Sequence, residues 1–227
     1  MKYHWIVFDA DDTLFDFGAA EHHAIGRLLT GIGLADTQEH RDLYTGINRH
    51  LWQEMERGAI RPEAIKLMRI RRLFDEVGID EAAEPWAERF LDFLAEGSTL
   101  LPGTLTTLQR LAQRAQLAVL TNGLTRVQRP RLEHSGLAPL ISALVVSEDV
   151  GVGKPDPRIF EAMNLAMGSP ARDRVLMVGD RYETDIQGGR NFGWDTAWLT
   201  PSVPADVEPP TRHLHRIESL TDWLLDA

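Results

Sequence analysis

The sequence contains no cysteine among its 227 residues. This absence excludes disulfide bonds, catalysis by a thiolate, and zinc or iron–sulfur sites with cysteine ligands. Any metal ion must therefore be held by oxygen or imidazole ligands. The sequence also lacks an apolar run of the roughly 18 residues that a membrane-spanning helix needs. We therefore expect neither a thiol-based redox centre nor a protein that crosses a membrane.

Basic residues are fewer than acidic ones, with 24 lysines and arginines against 34 aspartates and glutamates and a net charge of −10. Nucleic acids and anionic membranes attract basic patches, so we expect neither as a partner. A small anionic substrate is compatible with this charge, because local cations or a bound metal ion set the field within a site. An apolar run begins almost at Met1 and leaves no room for a signal peptide, which predicts a cytoplasmic location.

What the sequence does contain is a series of short apolar runs, each about the length of a buried parallel strand. Helix-length segments lie between the later runs, at residues 124–134, 157–167 and 183–192. This alternation predicts an α/β fold with right-handed βαβ units and a parallel sheet. A proline-rich stretch, 201–210, should lead to an edge strand near 213–217 and a final helix. The apolar runs are residues 5–8, 117–120, 144–146, 175–178 and 196–199.

The segment between the first two runs is much longer than the others and must hold an insertion. Apolar residues recur there at helical spacing, as at Ala24 and Leu28. We therefore predict about four helices that form a cap over a catalytic core. The predicted core comprises residues 1–15 and 99–227, and the predicted cap comprises residues 16–98.

Acidic and polar residues follow the predicted strands, at the edge where the carboxyl ends of parallel strands meet. Asp9 and Asp11 come two residues apart after the first run, a spacing that places both side chains on one face of an extended chain. We expect these two to converge with residues that follow the later runs, namely Thr121, Asn122, Lys154, Asp180 and Asp185.

Each of these residue types suits chemistry on an anion. The Thr121 hydroxyl and the backbone N–H groups from Asn122 onward precede a predicted helix, whose positive end favours a phosphate group. Lys154 supplies a localised cation. The carboxylates of Asp180 and Asp185 can complete an oxygen-rich metal site of the kind that Mg²⁺ prefers.

The ordered set of motifs resembles the haloacid dehalogenase (HAD) superfamily. The resemblance implies a Rossmann-like core with an inserted all-helical cap, and a magnesium-dependent hydrolase with an aspartyl nucleophile. On this resemblance Asp9 forms a phosphoaspartyl intermediate and Asp11 is the general acid and base. The motifs that carry it are Asp9-x-Asp11-x-Thr13, Thr121, Lys154 and Gly179-Asp180-x-x-x-Thr184-Asp185.

The resemblance also implies how phosphate and metal are bound. Thr121 and Asn122 would bind the phosphoryl oxygens, while Lys154 would offset charge at the nucleophile and the phosphoryl group. The implied ligands of Mg²⁺ are the Asp9 carboxylate, the Asp11 backbone carbonyl and Asp180, with Asp185 in support.

The second aspartate indicates the branch of the superfamily. Haloacid dehalogenases expel a halide, which needs no proton, and they lack the equivalent of Asp11, whereas phosphatases must protonate an alkoxide. Asp11 therefore favours cleavage of a phosphate ester. A phosphonate-cleaving branch uses a cap lysine to form an imine, and the only lysine of the predicted cap is Lys66.

The predicted cap contains Asn48-Arg49-His50-Leu51-Trp52, which, with the strand-end motifs, looks like the pyrimidine 5′-nucleotidase subgroup. That resemblance implies hydrolysis of nucleoside 5′-monophosphates such as UMP, dUMP or dTMP. Trp52 would stack on the base and Asn48 would hydrogen-bond its edge, although Trp52 also fits the apolar core of the cap. The alternatives are a phosphatase for a sugar phosphate or phosphoglycolate and, more distantly, a 2-haloacid dehalogenase or a non-catalytic phosphate-binding protein.

The Arg69-Ile70-Arg71-Arg72 cluster indicates a solvated face of a cap helix rather than an anion site. As partners we expect a small-molecule phosphate ester, no nucleic acid polymer and no membrane, in a monomer or a homodimer.

Overall fold

The computed structural model describes residues 1–225, and its centre is a six-stranded sheet in which every neighbouring pair is parallel. The strand order is β3-β2-β1-β4-β5-β6, so β1 lies in the interior of the sheet. The strands are β1 (Trp5–Phe8), β2 (Gln116–Thr121), β3 (Ile141–Val146), β4 (Val175–Gly179), β5 (Asp195–Leu199) and β6 (Arg212–Leu214). The predicted α/β, Rossmann-like fold with a parallel sheet is thereby confirmed.

Helices connect the strands and cover the sheet. Four long helices lie between β1 and β2, and we call them the inserted helices: α1 (Phe17–Gly31), α2 (Gln38–Glu56), α3 (Pro62–Val77) and α4 (Ala83–Glu96). The remaining helices are α5 (Thr104–Leu111), α6 (Thr125–His134), α7 (Ser147–Val150), α8 (Pro157–Ala166), α9 (Gly188–Phe192) and α10 (Ser219–Leu224). No helix within residues 1–225 is long and apolar enough to cross a membrane.

The sheet is buried on both faces, which explains why its strands are continuous apolar runs. Ile6 and Phe8 point to one face, where they pack with residues of α5, α6 and α10. Trp5 and Val7 point to the other face and pack with residues of α8 and α9. This alternation follows the twofold side-chain period of a strand. The residue that follows β1 is therefore held by a rigid, fully covered element.

The inserted helices have an apolar core of their own. Leu28, Tyr44, Leu73 and Phe90, one from each helix, belong to a single buried cluster. The cluster also includes residues at the start of α6, so the inserted helices rest on the core at that point. About four helices were expected in this segment, and four are present; the predicted division into core and cap at residues 15 and 98 stays a prediction.

Several local features differ from the sequence prediction, among them β3, which begins at Ile141 rather than at 144, and the short helix α7, which was not predicted. Helix α5 was not predicted, although Leu108 and Leu111 lie on one buried side of it. The edge strand covers Arg212–Leu214 rather than 213–217. The predicted helix at 183–192 begins as a π-helical turn, Tyr182–Gln187, before α9. A π-helical turn inserts one extra residue, and such turns often occur at functional sites.

Candidate active site

Asp9 stands at the carboxyl end of β1, between the ends of β2 and β4. Its backbone N–H still donates to the Val178 carbonyl at 2.9 Å, so the sheet fixes its position. The chain then turns back, because the N–H groups of Leu14 and Phe15 both donate to the Ala10 carbonyl, at 2.9 and 3.0 Å. The carboxylate of Asp9 is therefore buried at the carboxyl ends of the strands, where open α/β sheets bind their ligands.

Lys154 lies beside two of the predicted acids. Its Nζ is 2.6 Å from Asp9 Oδ1 and 2.6 Å from Asp185 Oδ1, and all three side chains are buried. Burial by itself would lower the pKa of Lys154, but the carboxylates of Asp185 and Asp9 together raise it. Lys154 is therefore held in its charged form at the centre of the site.

Asp9, Asp180 and Asp185 form a cluster in which one carboxylate oxygen of each lies within 4.8 Å of the others. Burial, reinforced by Asp185 and Asp12, raises the pKa of Asp180 to about 7. Burial also raises the pKa of Asp9, with Lys154 opposing the shift. One lysine cannot balance three close carboxylates, and a divalent cation with hard oxygen ligands fits the remaining charge. The cluster can thus hold a divalent metal.

The π-helical turn after β4 places Asp185 in this cluster. Asp185 Oδ2 accepts a hydrogen bond from the Arg181 backbone N–H at 3.0 Å, which fixes the carboxylate against the end of the strand. A Cβ at Gly179 would come within 2.3 Å of the same oxygen, so this approach requires a residue without a side chain. The Gly179-Asp180 motif is therefore explained by packing as well as by charge.

Thr121 is the last residue of β2 and Asn122 follows it, and both line the same cavity as Asp9. The Asn122 side chain is engaged with the backbone of Lys154: its Oδ1 accepts from the Lys154 N–H at 2.6 Å and its Nδ2 donates to the Lys154 carbonyl at 2.8 Å. The amide group of Asn122 thus positions the lysine, and a role in phosphate binding would fall to its backbone N–H.

Asp11 lines the cavity, but its carboxylate is not part of the acidic cluster. It accepts hydrogen bonds from Gln128 Nε2, at 2.9 Å, and from Arg131 Nη1, both on α6. Arg131 is fully buried, donates to the Gly97 carbonyl at 2.8 Å and lies over the Phe15 ring, 4.4 Å from its centre. Sequence reasoning missed both α6 residues, although their spacing of three places them on one helix face.

The inserted helices close the opposite side of the cavity, which has a volume of about 190 Å³. Trp52 lines it and also packs against the apolar cluster of Leu51, Met55 and Ile65, so its role in binding a base stays a prediction. Asn48 is not among the lining residues; it is buried and donates from Nδ2 to Glu21 Oε1 at 2.8 Å. Lys66 is half-buried, its Nζ lies 3.5 Å from Glu88 Oε1, and it is not among the residues that line the cavity, which gives no support to imine chemistry.

Three further charged side chains at this cavity were not predicted. Glu56 of α2 pairs with Arg181, which follows β4, and both residues line the cavity. Arg69 of α3 is only 2% exposed and also lines it. The expectation that the Arg69 cluster is a solvated helix face is therefore wrong for Arg69, because this position faces the interior of the inserted helices.

Comparison with known proteins identifies the family of this chain. The family model for haloacid dehalogenase-like hydrolases matches residues 3–193. The chain belongs to this family. The predicted superfamily resemblance and the prediction of a hydrolase are confirmed, and the matched region contains every strand from β1 to β4 together with the acidic cluster.

Individual relatives of this HAD hydrolase are similar over nearly their whole length. Pyrimidine 5′-nucleotidase PynA of Streptococcus pneumoniae is 36% identical over 227 residues, covering 99% of this chain and 96% of the relative. Pyrimidine 5′-nucleotidase YjjG of Escherichia coli is 35% identical, covering 97% and 98%. A crystal structure of the HAD hydrolase YfnB of Bacillus subtilis, bound to magnesium, has a TM-score of 0.90 at 31% identity and covers 99% of each chain. The predicted resemblance to the pyrimidine 5′-nucleotidase subgroup is thus confirmed.

Proposed function

We propose that this HAD hydrolase is a magnesium-dependent phosphatase that hydrolyses pyrimidine nucleoside 5′-monophosphates through an aspartyl phosphate on Asp9. The observation that carries the proposal is the cavity at the end of β1, where Asp9 contacts Lys154 beside Asp180 and Asp185. Phosphoryl transfer needs mainly positioning and electrostatic stabilisation, and this constellation supplies both.

In the first half-reaction, an Asp9 carboxylate oxygen attacks phosphorus and the bond to the ester oxygen breaks. Lys154 stabilises the charge on the nucleophile and on the transferring oxygens, and Thr121 with the Asn122 N–H would hold those oxygens. Mg²⁺, held by Asp9, Asp180 and the Asp11 carbonyl, would neutralise charge on the phosphoryl group when bound.

Asp11 is proposed to move the proton. It would protonate the departing alkoxide and then, as a carboxylate, accept a proton from the water that attacks the phosphoaspartate, which releases phosphate and regenerates Asp9. Arg131 and Gln128 hold the Asp11 carboxylate at the wall of the cavity. They would orient it for both transfers.

Two observations support a pyrimidine nucleotide as substrate. PynA and YjjG, both named pyrimidine 5′-nucleotidases, are similar to this chain through the inserted helices as well as the core. Aromatic side chains from α1 and α2, Phe17 and Trp52, line the cavity and offer stacking surface for a base. The cavity of about 190 Å³ lies between the inserted helices and the core, so a movement of the inserted helices would change its size. Interdomain movement is described for YfnB.

A screen of phosphate release tests the proposal. We expect turnover of UMP, dUMP or dTMP that requires Mg²⁺, is abolished by EDTA, and exceeds turnover of phosphoglycolate and sugar phosphates. Asp9→Asn should remove activity, and Asp173→Asn, on an exposed side chain, is the matched control. Turnover of phosphoglycolate without turnover of any pyrimidine nucleotide would overturn the substrate class. The cytoplasmic location and the monomeric or homodimeric state stay predictions.

A further inference from the structure

Arg69 is a buried cation whose hydrogen-bonding groups are incompletely used. Arg69 is one of the residues that line the cavity from the side of the inserted helices. Within residues 1–225, neither its Nε nor its Nη2 has a hydrogen-bond partner, although both atoms are buried. Buried charges without partners are costly, and buried arginines in folded proteins are normally paired or hydrogen-bonded. The two open N–H groups therefore point to a ligand.

The open groups form one edge of the guanidinium. Nε and Nη2 are the same pair with which Arg41 holds the Asp36 carboxylate, at 2.6 and 2.7 Å, in this protein. Arg71 and Arg72, the neighbours of Arg69 on α3, use their guanidinium groups in surface ion pairs with Glu84 and Glu54. Arg69, which lines the cavity, is thus distinguished from them by two buried donors without a hydrogen-bond partner among the described residues.

The surroundings of Arg69 favour a neutral acceptor over a second anion. Burial raises the pKa of Glu21, and Asp12 and Asp11 raise it further. The charge of Arg69 opposes this rise. A carboxylate or a second phosphate of a ligand would meet repulsion from these acidic residues, whereas a carbonyl oxygen would not. The guanidinium also lies over the Phe90 ring, 4.5 Å from its centre, which holds its plane in place.

We propose that Arg69 is a specificity-determining residue whose Nε and Nη2 donate to the C2 carbonyl oxygen of a pyrimidine base. Uracil, thymine and cytosine all carry this oxygen, and adenine carries no carbonyl. The inference rests on the proposed function, because it assumes that a nucleotide places its phosphate at Asp9 and its base toward α3. Recognition by Arg69 would then explain how one cavity accepts several pyrimidines.

The test compares a substrate with a base to one without. Arg69→Met should lower kcat/KM for UMP by about 10- to 100-fold, since a hydrogen bond to a charged group is lost. It should change kcat/KM for 2-deoxyribose 5-phosphate by less than about twofold. Arg71→Met, on the same helix but at the surface, should leave both unchanged. An equal loss on both substrates would assign Arg69 a structural role only and overturn the inference.

Two further measurements keep the inference separate from folding and from the proposed function. Arg69→Lys keeps the charge but loses the paired donors, so it should also lose activity on UMP selectively. The wild-type protein should hydrolyse the 5′-monophosphate of 2-oxopyrimidine riboside, which retains the C2 carbonyl and lacks the C4 group, about as well as UMP. Failure on this analogue with normal UMP turnover would overturn the Arg69 assignment alone, whereas failure on every nucleotide would overturn the proposed function as well.

Discussion

At the scale of single residues, Asp11 is set apart from Asp9 by its partners. Lys154 contacts Asp9, whereas Arg131 and Gln128 contact Asp11. The two carboxylates are close in sequence but differ in environment, which is how one fold assigns different roles to two acids. Arg131 is itself fixed by a backbone carbonyl and an aromatic ring, so its position does not depend on Asp11.

Replacement of Arg131 tests this arrangement. Arg131→Met should lower kcat for UMP by about 10- to 100-fold, because Asp11 loses the charged group that orients it. Mg²⁺ affinity, measured by calorimetry, should change little, since the acidic cluster does not include the Asp11 carboxylate. Arg129→Met, on the exposed side of α6, is the control. Retention of full kcat in a folded Arg131→Met protein would contradict the role given to this arginine.

Strand-end residues of the site could be predicted from sequence because an apolar run fixes where its carboxyl end lies. Asp9 and Asp180, which directly follow β1 and β4, come together for this reason, whereas the loop after α7 brings Lys154 to them and the π-helical turn brings Asp185. Arg69 and Arg131 could not be identified in this way. They lie on helices, and whether a helical arginine faces water or a cavity depends on which neighbouring elements pack against it.

At the scale of elements, the inserted helices contact the core at two different kinds of surface. On one side α4 packs on α6 through an apolar cluster that includes Leu124 and Val127, with Arg126 pairing to Asp92. Near the cavity, α2 contacts the core through the ion pair of Glu56 with Arg181. We expect the apolar contact between α4 and α6 to stay in place, and the ion pair between Glu56 and Arg181 to break when the cavity opens.

The ion pair should contribute modestly to closure over substrate. Glu56→Gln and Arg181→Gln should each raise KM for UMP by about two- to fivefold, because a partly exposed pair is worth about 0.2–1 kcal/mol. The double variant should be no worse than either single variant, as expected when both act through one contact. The measurement is a double-mutant cycle on KM, and fully additive effects would show that the two side chains act independently.

The sheet strands were predictable as elements because each is buried on both faces and therefore reads as an apolar run. The missed elements are short or irregular. Helix α5 spans only 8 residues between the Pro102-Gly103 break and β2. The π-helical turn at Tyr182–Gln187 departs from the usual helical period, so periodicity alone cannot place it.

At the scale of the whole molecule, the acidic cluster should reduce the stability of the metal-free protein. The folded state holds Asp180 with a pKa of about 7, above its unfolded value of about 3.9. Between these values the folded state binds more protons than the unfolded state. The free energy of unfolding must therefore fall as pH rises through this window, and the loss is complete above about pH 7.

Removal of this charge should stabilise the protein in EDTA. Asp180→Asn should raise the free energy of unfolding by roughly 1–3 kcal/mol at pH 8 and by much less at pH 4. Mg²⁺ should raise the Tm of the wild type more than that of the variant, because ligand binding to the folded state is stabilising. Thermal denaturation at the two pH values provides the comparison. A variant that is less stable than wild type in EDTA at pH 8 would contradict the electrostatic account.

The central claim, attack by Asp9 on phosphorus, is tested most directly by trapping the intermediate. UMP labelled with radioactive phosphate would be mixed with the enzyme and Mg²⁺, and the reaction would be quenched in acid within milliseconds. The labelled peptide of the enzyme would then be identified. We predict that the label is attached at Asp9 in the wild type and absent from Asp9→Asn. Rapid phosphate release with label on another residue, or undiminished turnover by Asp9→Asn, would contradict the account.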